Sequence, residues 1–300
     1  MAEHTDIEWT HHTFNPWEGC EKVSPGCKKC YAWRRDIRLH RGANWGPGSK
    51  RLTHGPDYWK QPLIWNAKAA AAGEQRRVFC GSLCDILEIN PDEAELQNEE
   101  RRKVFELVPK TPNLLWLFLT KRPENALALF PWDYCSWPNN VMFGMTAEDQ
   151  LRLEIRRNHW FAMNRMLGRK LRTFLSLEPL LGPINLGTGF GAVIHWVIAG
   201  GESGPGARPA QADWFRSIRD QCKEENVPFL FKQWGMHNDQ LVKVDARHSG
   251  RLLDGVLHDE FPPSPALPLP PLGDNPTDTE ISQRAKILDA RIAARNYPKS

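Results

Sequence analysis

The sequence predicts an α/β fold: a partial (β/α) barrel of about six or seven parallel strands, with a Pro-rich C-terminal extension and a terminal helix. Three observations carry this. Short runs of apolar, β-branched and aromatic residues recur through the middle of the chain, each followed by a polar tip and a longer helical stretch. The runs are too continuously apolar to have a wet face, as expected of parallel strands buried on both sides. A chain of 300 residues is long enough to hold such a barrel as one domain with a tail.

The segment before Cys20 reads as the first strand. Val78 to Leu83 is the second, followed by Asp85 and a helix whose opening, Pro91-Asp92-Glu93, suits a helix N-terminus. Leu114 to Leu119 leads into Thr120-Lys121-Arg122-Pro123. Asn140 to Met145 leads into Thr146-Ala147-Glu148-Asp149 and then a helix to about Met166. Thr173 to Leu177 ends in Glu178-Pro179, His195 to Ala199 in Gly200-Gly201-Glu202-Ser203-Gly204, and Phe229 to Phe231 in Lys232-Gln233-Trp234-Gly235. In a barrel these polar tips converge on one mouth. A doubly wound open sheet is the alternative, because strand order is not written in the sequence.

The barrel is expected over residues 1–245. Residues 246–276 hold Pro262, Pro263, Pro265, Pro268, Pro270 and Pro271 and read as an extended strap or linker. Residues 277–300 read as a docking helix, opened by Thr277 and Glu280 at capping-box spacing and carrying Ile281, Ile287, Leu288 and Ile292.

There is no apolar run long enough to span a bilayer and the N-terminus is polar, so a cytoplasmic protein with no membrane partner is expected. The net charge of +3 is mild, but basic pairs recur and thirteen tryptophans accompany them. That mixture fits a nucleic-acid partner, by phosphate neutralisation and base stacking, as well as it fits a solvated surface. Seven cysteines, clustered and odd in number, point to metal ligands or buried thiols more than to disulfides.

Cys20, Cys27 and Cys30 form a C-x6-C-x2-C group in a loop made turn-rich by Gly19, Pro25 and Gly26. Three soft thiolates leave a metal centre one ligand short. A structural zinc site would take its fourth ligand from His11, His12, Cys80 or Cys84, and a catalytic zinc site would take water. A [4Fe–4S] cluster on three cysteines would keep one iron open for a cosubstrate. Cys80 and Cys84 alternate with apolar residues and read as buried small side chains, while Cys135 and Cys222 carry no signal.

The cysteine loop followed by Tyr31-Ala32, with Ile7-Glu8-Trp9-Thr10, Phe14-Asn15-Pro16-Trp17, Leu119-Thr120-Lys121-Arg122-Pro123, Ser176-Leu177-Glu178-Pro179-Leu180, Gly200-Gly201-Glu202-Ser203-Gly204 and Phe231-Lys232-Gln233-Trp234-Gly235, resembles the three-Cys-motif phage protein family, a group similar to radical S-adenosylmethionine enzymes. The likeness covers most of residues 5 to 262, although the first two cysteines stand three residues further apart than in the common radical pattern. It implies a [4Fe–4S] cluster on Cys20, Cys27 and Cys30, with S-adenosylmethionine chelating the open iron.

In that picture Gly81, Ser82 and Asp85 would meet the methionyl amino group. Thr146, Glu148 and Asp149 would meet the ribose, and Gly200, Gly201 and Glu202 the adenine or substrate. Glu178 and Lys121 are the catalytic candidates. Asp85 and Asp149 read equally well as helix caps, and Lys121, Arg122 and Lys232 as phosphate or carboxylate binders.

The resemblance further implies an isomerase or modification enzyme. Its expected partners are DNA or a modified nucleobase or nucleotide (a hypermodified thymine is one concrete form), an electron donor such as flavodoxin or ferredoxin, and a partner protein. The expected setting is host-cell cytoplasm. The rival expectation is a zinc-stabilised nucleic-acid-binding protein without catalysis, and a third is a catalytically decayed barrel serving as a partner subunit.

Overall fold

Every apolar run becomes a parallel strand. In the computed structural model, which describes residues 5–133, 135–167, 171–244 and 249–263 with Thr277, Thr279 and Ser282, seven strands form one sheet. They are β1 (His12–Phe14), β2 (Arg76–Cys80), β3 (Leu114–Thr120), β4 (Val141–Thr146), β5 (Thr173–Leu177), β6 (Val197–Gly200) and β7 (Phe229–Gln233). Each pairs in parallel with its predecessor, in the order β1-β2-β3-β4-β5-β6-β7. A doubly wound sheet would reverse direction in the middle. This one does not, and it curls into a half-barrel.

The strand periodicity of two sorts side chains onto two faces. Val78, Trp116, Phe118, Phe143, Leu175, Val197 and Phe231 point outward into one apolar cluster. The same cluster takes Trp65 from α2 (Pro56–Ala72), Val104 and Phe105 from α3 (Ala94–Lys110), Leu153 and Trp160 from α5 (Gln150–Leu167), and Phe215 and Ile218 from α6 (Ala212–Glu224). Phe79, Leu115, Leu117, Met142, Phe174, Trp196, Ile198 and Leu230 point inward and, with Trp9, form a second, separate cluster. Gly144 takes its place in the inward row because the Phe174 ring fills the space beside it: an added Cβ would lie 2.2 Å from Phe174 Cζ.

Two helices between Cys30 and β2 fall where the sequence reading placed no element. The first, α1 (Tyr31–His40), starts directly after Cys30. The second, α2, begins with Pro56 at its first position, runs through an alanine-rich stretch and stops at Gly73 in the left-handed conformation (φ +67°). A short helix, α4 (Ala126–Leu129), follows β3.

Past residue 245 the described chain still packs on the barrel. A small antiparallel hairpin, β8 (Leu252–Leu253) with β9 (Val256–Leu257), precedes a passage that lies along β7, where Phe231 N donates to His258 O at 2.9 Å. Trp196 Nε1 then donates to Glu260 O at 2.9 Å, and Phe261 packs on Trp196 and under Arg77 at the lower end of the barrel. The expected prolines from Pro265 onward and the expected terminal helix lie almost wholly outside the described residues. Among the described residues no helix is long and apolar enough to cross a membrane.

Candidate functional site

Following the inward rows past their apolar floor toward the C-terminal ends gives Gly81 after β2, Lys121 after β3, Thr146 on β4, Ser176 on β5 with Glu178 just after it, Glu202 after β6 and Lys232 on β7. All of them line one cleft of about 320 Å3. Cys20, Cys27 and Cys30 line the same cleft. One alternation rule thus builds both the dry floor, ending at Phe79 and Leu119, and the polar mouth above it.

The cysteine loop is fastened to the tips on several sides. Gly81 N donates to Phe14 O and Gly19 N to Leu83 O, both at 3.0 Å, which ties the segment after β1 to that after β2. The Asn15 side chain strengthens this link by accepting from Leu83 N at 2.7 Å and donating to Ser82 Oγ at 3.1 Å. Gly19 has φ +114°, and a Cβ there would strike Asn44 O at 2.1 Å, so only glycine fits beside Cys20. On the far side Arg208 donates to Pro25 O at 3.0 Å while held by Glu202, to which its backbone N–H also donates at 2.8 Å. At the start of α1 the Tyr31 hydroxyl donates to Ser82 O at 2.5 Å.

Beneath Cys20 lies a buried ion network. Arg51 makes a two-pronged contact with Glu88 (Nε to Oε2 2.9 Å, Nη2 to Oε1 3.1 Å), and Glu21 N donates to Glu88 Oε1 at 2.7 Å. Arg122 donates to Asp85 Oδ2 at 3.1 Å and to Glu21 O at 2.8 Å, and its Nη1 lies 3.6 Å from Cys20 Sγ. Burial, then the Glu88 charge, pushes the Cys20 thiol well above the usual thiol range, with Arg122 pulling the other way. Burial also raises the Cys30 thiol. Such thiols ionise when a metal centre takes the proton's place.

The residues expected at the mouth divide into two sets. Cys20, Cys27, Cys30, Gly81, Ser82, Asp85, Lys121, Thr146, Glu178, Gly201 and Glu202 share the cleft wall. Asp85, however, has its carboxylate occupied by Leu87 N, Thr120 Oγ1, Lys121 N and Arg122 Nη1 at 2.7 to 3.1 Å. Glu148 and Asp149 are not among the lining residues, and Gly200 sits in the inward row with no side chain to offer. Glu148 accepts from Gly26 N at 3.1 Å and pairs with Arg156 at 2.9 Å. Burial works to raise the Glu148 carboxyl, but Arg156 and donors from Ser24 and Gly26 hold it below the usual range. Asp149 caps α5 by accepting from Arg152 N at 2.9 Å. Gly200 lies between Glu178 and Lys232, whose ammonium donates to Glu178 Oε1 at 2.6 Å.

A family model for a protein of unknown function (DUF5131) matches residues 4–262. The chain belongs to the DUF5131 family. No curated protein and no solved structure matches it. The matched region of this DUF5131 chain ends beside Phe261, and just past it Pro263 O still accepts from Arg172 Nη2 at 2.7 Å.

Sequence reasoning passed over Glu88, Arg51 and Arg208, which hold the cleft wall without an alternating or motif-like spacing. Cys84 lines the cleft as well, although it is nearly buried. Among the described residues no three His, Cys, Asp or Glu side chains are gathered tightly enough to grip a single metal ion. The donor set itself suits an iron–sulfur group: three thiols on one wall, a buried cation at Cys20, a hydroxyl at Cys27 (Ser24 Oγ to Sγ 3.6 Å) and a dry floor below.

Proposed function

We propose that this protein is a radical S-adenosylmethionine-type enzyme in which Cys20, Cys27 and Cys30 hold a [4Fe–4S] cluster. The observation that carries the reading is that the three thiols and the polar tips of β2 to β7 open on one cleft. When bound, the cluster supplies the electron that splits S-adenosylmethionine into methionine and a 5′-deoxyadenosyl radical, which takes a hydrogen atom from the substrate.

The chain's own residues bind, orient and exclude water. The thiols hold the cluster, and the hydroxyls of Thr146 and Ser176 offer partners for sugar hydroxyls. Asp85, saturated by its four donors, fixes the tip after β3 and so aims Lys121 into the cleft, where its ammonium suits a carboxylate or phosphate. Glu178 presents its carboxylate to the cleft as a proton acceptor, with Oε1 held by the Lys232 ammonium at 2.6 Å. Trp9 and Phe79 keep water from the floor.

The substrate we propose is an anion carrying a flat ring, of the nucleotide class. Lys22, Lys29 and Lys121 supply cations at the mouth and Tyr31 and Trp45 supply ring surfaces. A modified base in DNA belongs to this class.

The test is anaerobic reconstitution with iron and sulfide. The expected product is brown protein holding about four iron and four sulfide per chain, which forms 5′-deoxyadenosine when reduced with S-adenosylmethionine. Cluster and product disappear in Cys20→Ala, Cys27→Ala and Cys30→Ala and persist in Cys135→Ala. A colourless protein with one zinc per chain, or full activity in Cys27→Ala, rejects the reading.

A further inference from the structure

Cys20 differs from its two companions in what touches its sulfur. Among the described residues it alone of the three has a charged side-chain donor, Arg122 Nη1 at 3.6 Å. Arg122 is 7% exposed, and the carboxylates that hold it, Asp85 and Glu88, are 6% and 1% exposed. The charges therefore act through a poorly screened medium.

The same network grips the backbone next to the sulfur. Arg122 Nη2 donates to Glu21 O at 2.8 Å and Glu88 accepts from Glu21 N at 2.7 Å, so both polar groups of the residue after Cys20 are fixed by the pair. Arg51 and Gln97 lock Glu88 in turn. Neither Arg122 nor Glu88 is free to turn away from Cys20.

We propose, resting on the iron–sulfur reading above, that Arg122 is a positioning residue that sets the redox poise of the centre through Cys20, with Glu88 acting against it. Reduction adds one electron from an external donor and breaks no bond, so the centre gains one negative charge. A cation whose N–H reaches a ligand sulfur favours the more negative state and raises the midpoint potential. A buried carboxylate nearby lowers it. The network thus balances a cation against an anion at one sulfur.

The experiment is an EPR-monitored titration with dithionite of reconstituted full-length protein. Arg122→Met is expected to shift the midpoint to more negative values, Arg122→Lys to shift it less, and Glu88→Gln, which keeps the shape but removes the charge, to shift it the other way. Opposite signs in the arginine and Glu88 variants are what a scaffolding role would not produce. Where Arg122→Met does not load with iron, the Arg122→Lys and Glu88→Gln pair decides by the same rule. Brown, loaded variants with unchanged midpoints, or shifts of one sign in all of them, overturn the proposal while leaving the cluster in place. Wild-type protein that takes up no cluster overturns the underlying reading and this inference with it.

Discussion

The Gly26 N–H donates to Glu148 Oε1 at 3.1 Å, joining the middle of the cysteine loop to the segment after β4 across 122 residues of sequence. Glu148 is fully buried and Arg156, on α5, is 5% exposed, so the loop leans on an ion pair sealed from water. Removing one partner strands the other charge in a medium that does not tolerate it. Glu148→Ala is therefore expected to lower stability by about 3–5 kcal/mol in urea unfolding and to reduce iron uptake by the loop. Unchanged stability would mean that the pair is solvated and not the anchor described.

How legible this arrangement was depended on whether a residue belonged to a repeating pattern. Lys121, Thr146, Glu178 and Glu202 stand at the ends of apolar runs, and a period of two with sequential strands brings such positions to one mouth. The cysteines were found by their spacing. By contrast Arg51, Glu88 and Arg122 meet under Cys20 from three separate loops, and no local rule connects positions that far apart. Glu148 and Asp149 look alike in sequence, yet one is buried against Arg156 and the other caps a helix, because the chain turns between them. The helix α2 had readable punctuation in Gly55-Pro56 and Gly73, but its weak amphipathic pattern gave no period to notice.

Phe174 and Gly144 offer a test of the barrel interior. A methyl group on residue 144 would overlap three atoms of the Phe174 ring, at 2.2 to 2.6 Å. Gly144→Ala should cost roughly 1–3 kcal/mol or more from overpacking. Phe174→Leu alone should also destabilise, by opening a void among Trp9, Trp196 and Met142. Combined, the two should lose less than the sum of the singles. Strict additivity in chemical denaturation would show that the ring does not fill the space beside Gly144.

Glu178 and Lys232 face each other inside the cleft, each largely shielded from solvent yet not sealed, with side-chain exposures of 19% and 16%. That placement separates chemistry from folding. Glu178→Gln is expected to keep its fold and iron content while 5′-deoxyadenosine formation falls by about 10²-fold, the scale of a lost proton-handling group. Lys232→Met should remove the 2.6 Å contact that holds Glu178 Oε1 and lower the rate while the fold and iron content stay. A Glu178→Gln protein with the full wild-type rate would remove Glu178 from the reaction.

At the opposite end of the barrel two histidines accept backbone hydrogens through Nδ1. His11 accepts from Arg77 N at 2.9 Å and His195 from Thr173 N at 3.2 Å. Both bonds require the neutral ring, because a protonated imidazole has no acceptor. Burial, then the Arg77 charge, lowers the His11 pKa from an ordinary 6.5 to about 4, and burial followed by Arg172 lowers that of His195. A folded-state pKa below the unfolded value means that the unfolded chain binds the extra protons, so stability is complete above about pH 6.5 and drains away as the pH falls toward 4. The urea midpoint should therefore decline between pH 7 and pH 4.5. Replacing His11 with Asn, which can still accept through Oδ1 but does not titrate, should flatten part of that decline, and a wild-type midpoint that stays level across the window would show that neither ring is held neutral by the fold.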